Sequence, residues 1–267
     1  MKAKPFQPFN LLLIFLGGLA LLFIIAPLAG LIVSVTPGQI AEAAVDKEIS
    51  NSVWLTLFAS MSATFIFGIA AIPLAYILAR KKFRFRQLVI GAIDLPVVIP
   101  HTAAGIALLG CISRDTWLGH LASLAGIQFV GTTAGIALAM AFVSIPFLIN
   151  AAREGFAAVP ERLENVALTL GASPARVFFA ISVPMAWRSI MSGMVMMFAR
   201  GMSEFGAVVI IAYHPMVAPV LIYERFGAFG LKYARPAAVL FVLIALGVFI
   251  ILRFIGGNRA TNGAPRR

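Results

Sequence analysis

The chain has 267 residues, of which 61% are hydrophobic and 12% charged, with a mean hydropathy of +0.99; water-soluble globular domains do not carry that composition. Its formal net charge of +11 would suit a nucleic-acid binder, but the sequence contains no soluble basic domain, and the basic residues are placed as membrane topology would place them. The single cysteine, Cys111, leaves no room for an intrachain disulfide, a Cys-rich metal site or a redox pair.

A membrane-crossing helix needs roughly 20 apolar residues. Such runs occur at about 11 to 35, 53 to 79, 88 to 112, 131 to 151, 189 to 212 and 236 to 255, so the chain is predicted to be an all-α integral membrane protein with six transmembrane helices. The runs are continuously apolar and lack the alternation of a membrane β-barrel. The first follows Lys2 and Lys4 and is longer than the about 7 to 15 residues of a secretory core, which predicts a retained anchor. After it come Glu42, Asp46 and Glu48 against one Lys47, an acidic external loop.

The second run ends in the basic group Arg80, Lys81, Lys82, Arg84 and Arg86, which predicts a cytoplasmic loop. Both termini, with Arg253, Arg259, Arg266 and Arg267 at the far end, are predicted on the same side, as is the segment holding Arg153 to Arg188. Arg225, Lys232 and Arg235 outnumber Glu224 in the last external loop and run against that rule. The third run contains Pro96 and Pro100, with Asp94 before and His101 after; this predicts a broken helix beside a translocation path. Asp94 and His101 fall on similar sides only if the helix is unbroken. Pro27, Pro73 and Pro146 predict further kinks.

The longest polar connection, residues 152–187, reads as two short helices with a turn at Gly171 and Ala172. Glycine suits the left-handed backbone of a helix end. Ser173 followed by Pro174 suits the next N-cap and first turn. Leu163, Val166, Ala167 and Leu170 form an apolar stripe at helical spacing, fit either for the bilayer surface or for the groove of a partner protein. In the fifth run, Arg200 and Glu204 lie roughly 18 and 24 Å along a helix entering near Arg188. Their i,i+4 spacing predicts an ion pair facing the bundle interior or an aqueous cavity. It either fixes packing or lines the route of an anion, with Glu204 limiting the hold of Arg200.

The whole of 1–267 reads as one transmembrane domain with a short tail, 256–267. No internal repeat supports an inverted-repeat secondary transporter. Six helices enclose little hydrophilic path, which favours a dimer with the path between subunits. The chain has no Gly-rich loop ending in Gly-Lys-Ser/Thr, hence no ATP site of its own. Ser203 in GMSEFG has Phe205 where a nucleophile elbow requires glycine, so no catalytic residue is assigned. No metal site is assigned either.

Three segments carry a family resemblance: DLPVVIPHTAAG at 94–105, ENVALTLGASPARVFFAISVP at 164–184, and ARGMSEFGAVVIIAY with PMVAPVLIYERF at 199–226. The second is similar to the signature of ATP-binding-cassette (ABC) importer permeases, in which Glu-Ala-Ala is followed by three residues, Gly, nine residues and Ile-x-Leu-Pro. Gly171 and Ile181 to Pro184 match with Val183 for Leu; Asn165, Val166 and Ala167 take the Glu-Ala-Ala places, and the acid stands one earlier, at Glu164. The chain resembles the permease subunits of molybdate and tungstate ABC importers, archaeal-type, over about 70 to 250. The resemblance implies a homodimer in the cell membrane, two cytoplasmic ABC ATPases carrying ATP and Mg, and an external oxyanion-binding protein. It implies coupling residues Glu161, Glu164, Asn165, Ala167, Leu170, Gly171, Ala172, Ser173 and Pro174, with Glu164 carried in an ATPase groove. It makes Asp94, Pro100, His101, Thr102, Arg200, Ser203 and Glu204 the pathway or gate candidates. No cofactor is expected on the chain itself. A sulfate or thiosulfate permease is the nearest alternative, and a secondary anion carrier the next.

Overall fold

A computed structural model describes residues 8–257, and every regular element among the described residues is helical. Lys2, Lys4, Arg259, Arg266, Arg267 and most of the predicted tail lie outside the described residues. Helix α1 (Pro8–Val33) is apolar all round, and none of its described side chains is buried; a helix of that kind suits lipid. Thr36 then caps α2 (Pro37–Val45) reciprocally with Gln39, and the Asp46 carboxylate caps α3 (Lys47–Arg80) by accepting from the amides of Glu48 and Ile49.

Along α3 most of the buried positions are small, among them Ser52, Thr56, Ala59, Ser60, Ala63, Ala71 and Ala75, with Ile49, Val53 and Leu78 the larger ones. Their spacing of three and four puts them on one face, which lets neighbouring backbones come close. Against that face pack α7 (Thr133–Ala158) and α10 (Val183–Met202), with α7 between the other two. The buried hydroxyls are satisfied at once: Ser60 donates to the Phe198 carbonyl at 2.7 Å, and Thr56 accepts the Ala218 amide at 2.8 Å while donating to Ser52 at 2.6 Å. Ile136, Met140, Val143, Leu148 and Phe156 of α7 fill the core.

The break predicted in the run 88–112 is present: the run forms α4 (Arg86–Val98) and α5 (His101–Ile112), bent by 114°. Pro100 lacks the N–H that would bond back to Pro96 and holds Ile99 extended, with ψ at 149°. The bounds of the run 189–212 are corrected, because it ends early. Its helix begins at α9 (Pro174–Val177), passes through a π-helical turn (Phe178–Ser182) and stops with α10 at Met202. There the Ser203 hydroxyl donates to the Arg200 carbonyl at 3.0 Å, competing with the helical ladder, and a separate α11 (Gly206–Ile211) follows.

Five helices are therefore long and apolar enough to cross a membrane, or six if the bent pair counts as one span. The remaining elements are short: α6 (Trp117–Leu124), α8 (Glu161–Thr169) and α12 (Ala218–Phe229), with α13 (Leu231–Gly257) as the last long helix. Arg225 of α12 lies 2.8 Å from both Asp46 and Glu48. The basic excess noted in that loop thus meets the acidic loop at the same end of the bundle.

Candidate functional site

The break after α10 and the bend before α5 face each other. A Cβ on Gly206 would fall 2.8 Å from the Cβ of His101, so only glycine allows α11 to approach the start of α5 this closely. The approach gathers His101, Arg200 and Glu204. Arg200 Nη2 lies 3.0 Å from Glu204 Oε2, and 3.0 and 2.8 Å from Nδ1 and Nε2 of His101. His101 Nδ1 is also 3.3 Å from Glu204 Oε2. Glu204 is fully buried; its Oε1 accepts the Ala207 amide at 2.9 Å, while Oε2 has the Arg200 guanidinium and the His101 ring beside it but no aligned donor. The predicted i,i+4 pair is present, although Glu204 stands in the break beyond the helix rather than on its wall.

His101 and Arg200 of this cluster border an open recess of about 780 Å³, lined also by Pro100, Thr102, Ser203 and Phe205. Arg200 and Glu204 offset each other's charge, and the remaining guanidinium donors border the open space. Asp94 does not join the cluster: Asn150 of α7 donates to its Oδ1 at 2.7 Å, so it ties α4 to α7. Sequence reasoning missed Asn150; a lone amide in an apolar run was the available signal.

The second predicted site is the elbow. Helix α8 ends at Thr169, Gly171 turns the chain with φ at +89°, and the Ser173 hydroxyl accepts from the Arg176 amide to start α9 behind Pro174. These are the turn and cap expected from the sequence. The stripe stays uncovered: Leu163 and Val166 are exposed, and Leu170 is 83% exposed. Glu161 and Asn165 are exposed as well, and Ala167 and Ala172 are half-buried.

Glu164 corrects the expectation. Its side chain points into the bundle, not outward to a partner's groove, and is held by Arg80 Nη2 at 2.7 Å and the Ser182 hydroxyl at 2.7 Å. Burial pushes its carboxyl up in pKa, but the bonds from Arg80 and Ser182 outweigh it and hold it below the ordinary glutamate value. The sequence places Arg80 in a basic loop and Ser182 within the Ile181 to Pro184 match, and neither carries a signal for this pairing.

Residues 71–258 match the family of binding-protein-dependent transport system inner membrane components. The chain belongs to that family. Among its relatives in the family, a molybdate/tungstate transport system permease protein of Pyrococcus abyssi is 47% identical over 204 residues, 76% of each chain. The corresponding protein of Methanocaldococcus jannaschii is 41% identical over 89% of this chain and 93% of its own. A probable sulfate transport system permease protein of Chlorokybus atmophyticus is 32% identical over 74% of this chain and 70% of its own. The fold is shared with a crystal structure of a bacterial ABC transporter involved in alginate import, at a TM-score of 0.72 and 16% identity over 95% of this chain and 96% of that one. This family member is a multi-pass membrane protein and a transport subunit with the permease fold.

Proposed function

We propose that this chain is the permease subunit of an ATP-driven importer of molybdate or tungstate. The similarity of 41–47% to relatives bearing that name supports it, ahead of the 30–32% to relatives named as sulfate permeases. The geometry that carries the reading is the Arg200–Glu204–His101 cluster on the open cavity. In this reading two copies form a homodimer with the path between them, in the cell membrane with both termini cytoplasmic. An external binding protein delivers the dianion and supplies the selectivity, so the permease needs little affinity. Each elbow seats a cytoplasmic ATPase that carries ATP and Mg. Its closure turns the path outward, and hydrolysis returns it.

Of the pathway candidates, Arg200 presents charge to the anion, Glu204 weakens its grip, and His101, Thr102, Ser203 and Pro100 shape the wall. The test is reconstitution with a partner ATPase and binding protein, followed by uptake of labelled tungstate, molybdate and sulfate. ATP-dependent uptake of the first two above sulfate is expected. Uptake independent of ATP would favour a secondary carrier, and a preference for sulfate would favour the nearest alternative.

A further inference from the structure

Helix α8 has one buried residue, and it is a carboxylate. Apart from Glu164 the helix is exposed or half-buried, and its backbone packs mainly on the α9 and π-helical turn that follows it. Glu164 nevertheless reaches across the fold. Arg80, at the end of α3, donates from Nε to both carboxylate oxygens at 3.1 and 2.9 Å, and from Nη2 to Oε1 at 2.7 Å. The same Nη2 donates to the Val159 carbonyl at 3.0 Å, where α7 ends. Ser182, fully buried in the π-helical turn, donates to Oε1 at 2.7 Å, and the Tyr76 hydroxyl of α3 donates to Oε2 at 3.2 Å. The ring of Tyr76 packs edge-on against Phe156 of α7 and Phe178 of the turn, with centroids 5.2 and 5.0 Å apart. The two charged side chains are 9% and 8% exposed.

We propose that Arg80 is a positioning residue for transport: it clamps α8 to α3, so that the elbow and that span move as one body. Resting on the reading of the elbow as the ATPase seat, the clamp supplies a route for force that the covalent chain does not. Along the chain α8 connects only to α7 before it and α9 after it, and through Val159 Arg80 also fixes the hinge between α7 and α8. The planar fork of arginine is what allows one side chain to hold both oxygens and the carbonyl together. Lysine, a point charge on a flexible stem, keeps the attraction but loses the fixed orientation.

The experiment uses the complete transporter in proteoliposomes. Removing Arg80 alone would leave a buried unpaired carboxylate and risk misfolding, whereas replacing both partners by apolar residues avoids that penalty. In Arg80→Met/Glu164→Met, insertion and ATPase co-purification are expected to stay close to wild type, while anion transported per ATP hydrolysed falls about tenfold, the scale of a lost coupling contact. Spin labels on cysteines at the exposed positions Lys82 and Leu168, in a Cys111→Ser background, are expected to show a narrow distance distribution that broadens in the double variant. Should the double variant fail to insert, Arg80→Lys carries the test, with an intermediate loss of coupling and the same broadening. Normal transport per ATP in the variant that inserts overturns the clamp. The underlying reading fails separately: if Leu170→Asp leaves ATPase binding and stimulated hydrolysis intact, the elbow is not the seat, whatever the labels report.

Discussion

Glu204 shows what a fully buried carboxylate requires. Its neutralisation falls to Arg200, three-quarters or more of whose side chain is itself out of solvent, with His101 at the edge of contact. Removing the arginine alone leaves the carboxylate uncompensated, which for a buried pair costs about 3–5 kcal/mol. Arg200→Ala is therefore expected to lower folded yield and thermal stability more than Arg200→Ala with Glu204→Gln. Both are to be measured in detergent beside uptake in vesicles. If the two variants fold equally well and both lose uptake, Arg200 acts on the anion; if the double variant regains uptake, the pair serves packing. Asp94 belongs to a different argument, because its partner is Asn150 and its place is the seam between α4 and α7.

At the scale of elements, the elbow joins two short helices by a turn whose requirements are local. Gly171 has φ at +89°, and no heavy atom lies within 4 Å of where a Cβ would stand, so a side chain there meets backbone strain rather than a clash. Strain of this kind costs about 1–3 kcal/mol, too little to unfold five or six apolar helices but enough to shift α8. Gly171→Leu is expected to insert and dimerise normally, to bind the ATPase more weakly and to lose the hydrolysis stimulated by the binding protein. Retention of full ATPase binding and full stimulation would reduce the segment to an amphipathic surface helix. Because Glu164 is fastened inside the bundle, the variant is expected to misdirect the exposed end of α8, around Leu170, more than its base.

For the molecule as a whole, the two ends of the bundle carry different charge pairings. Asp46 and Glu48 meet Arg225 at one end, while Arg80 meets Glu164 near the basic loop at the other. Helix α3 separates them with 34 residues, roughly 50 Å of helix, long enough to cross a bilayer with turns to spare. Cysteines placed near Asp46 and near Lys82 are expected to react with an impermeant thiol reagent from opposite faces of the membrane. The exposed Cys111 must first be changed to serine. Labelling of both from outside intact cells would remove the predicted topology.

The sequence by itself determined the membrane class, the positions of the apolar runs and the chemistry of the elbow. Hydrophobic length, a glycine at a helix end, and a serine before a proline act over a few residues and are read without knowing the fold. The ion pair of Arg200 and Glu204 was legible for the same reason, being four residues apart. Where α10 stops was not, since Ser203 and the approach of α11 to His101 end it together. The prolines announced a break near Pro100, but a missing N–H sets no direction; the bend is 114°, and α5 packs on α11. Only the tertiary structure decided which distant group each buried or half-buried charge would meet: Asn150 for Asp94, His101 for Arg200, and Arg80 for Glu164. A buried charge must find a partner, and which partner lies within reach is settled by how the helices pack.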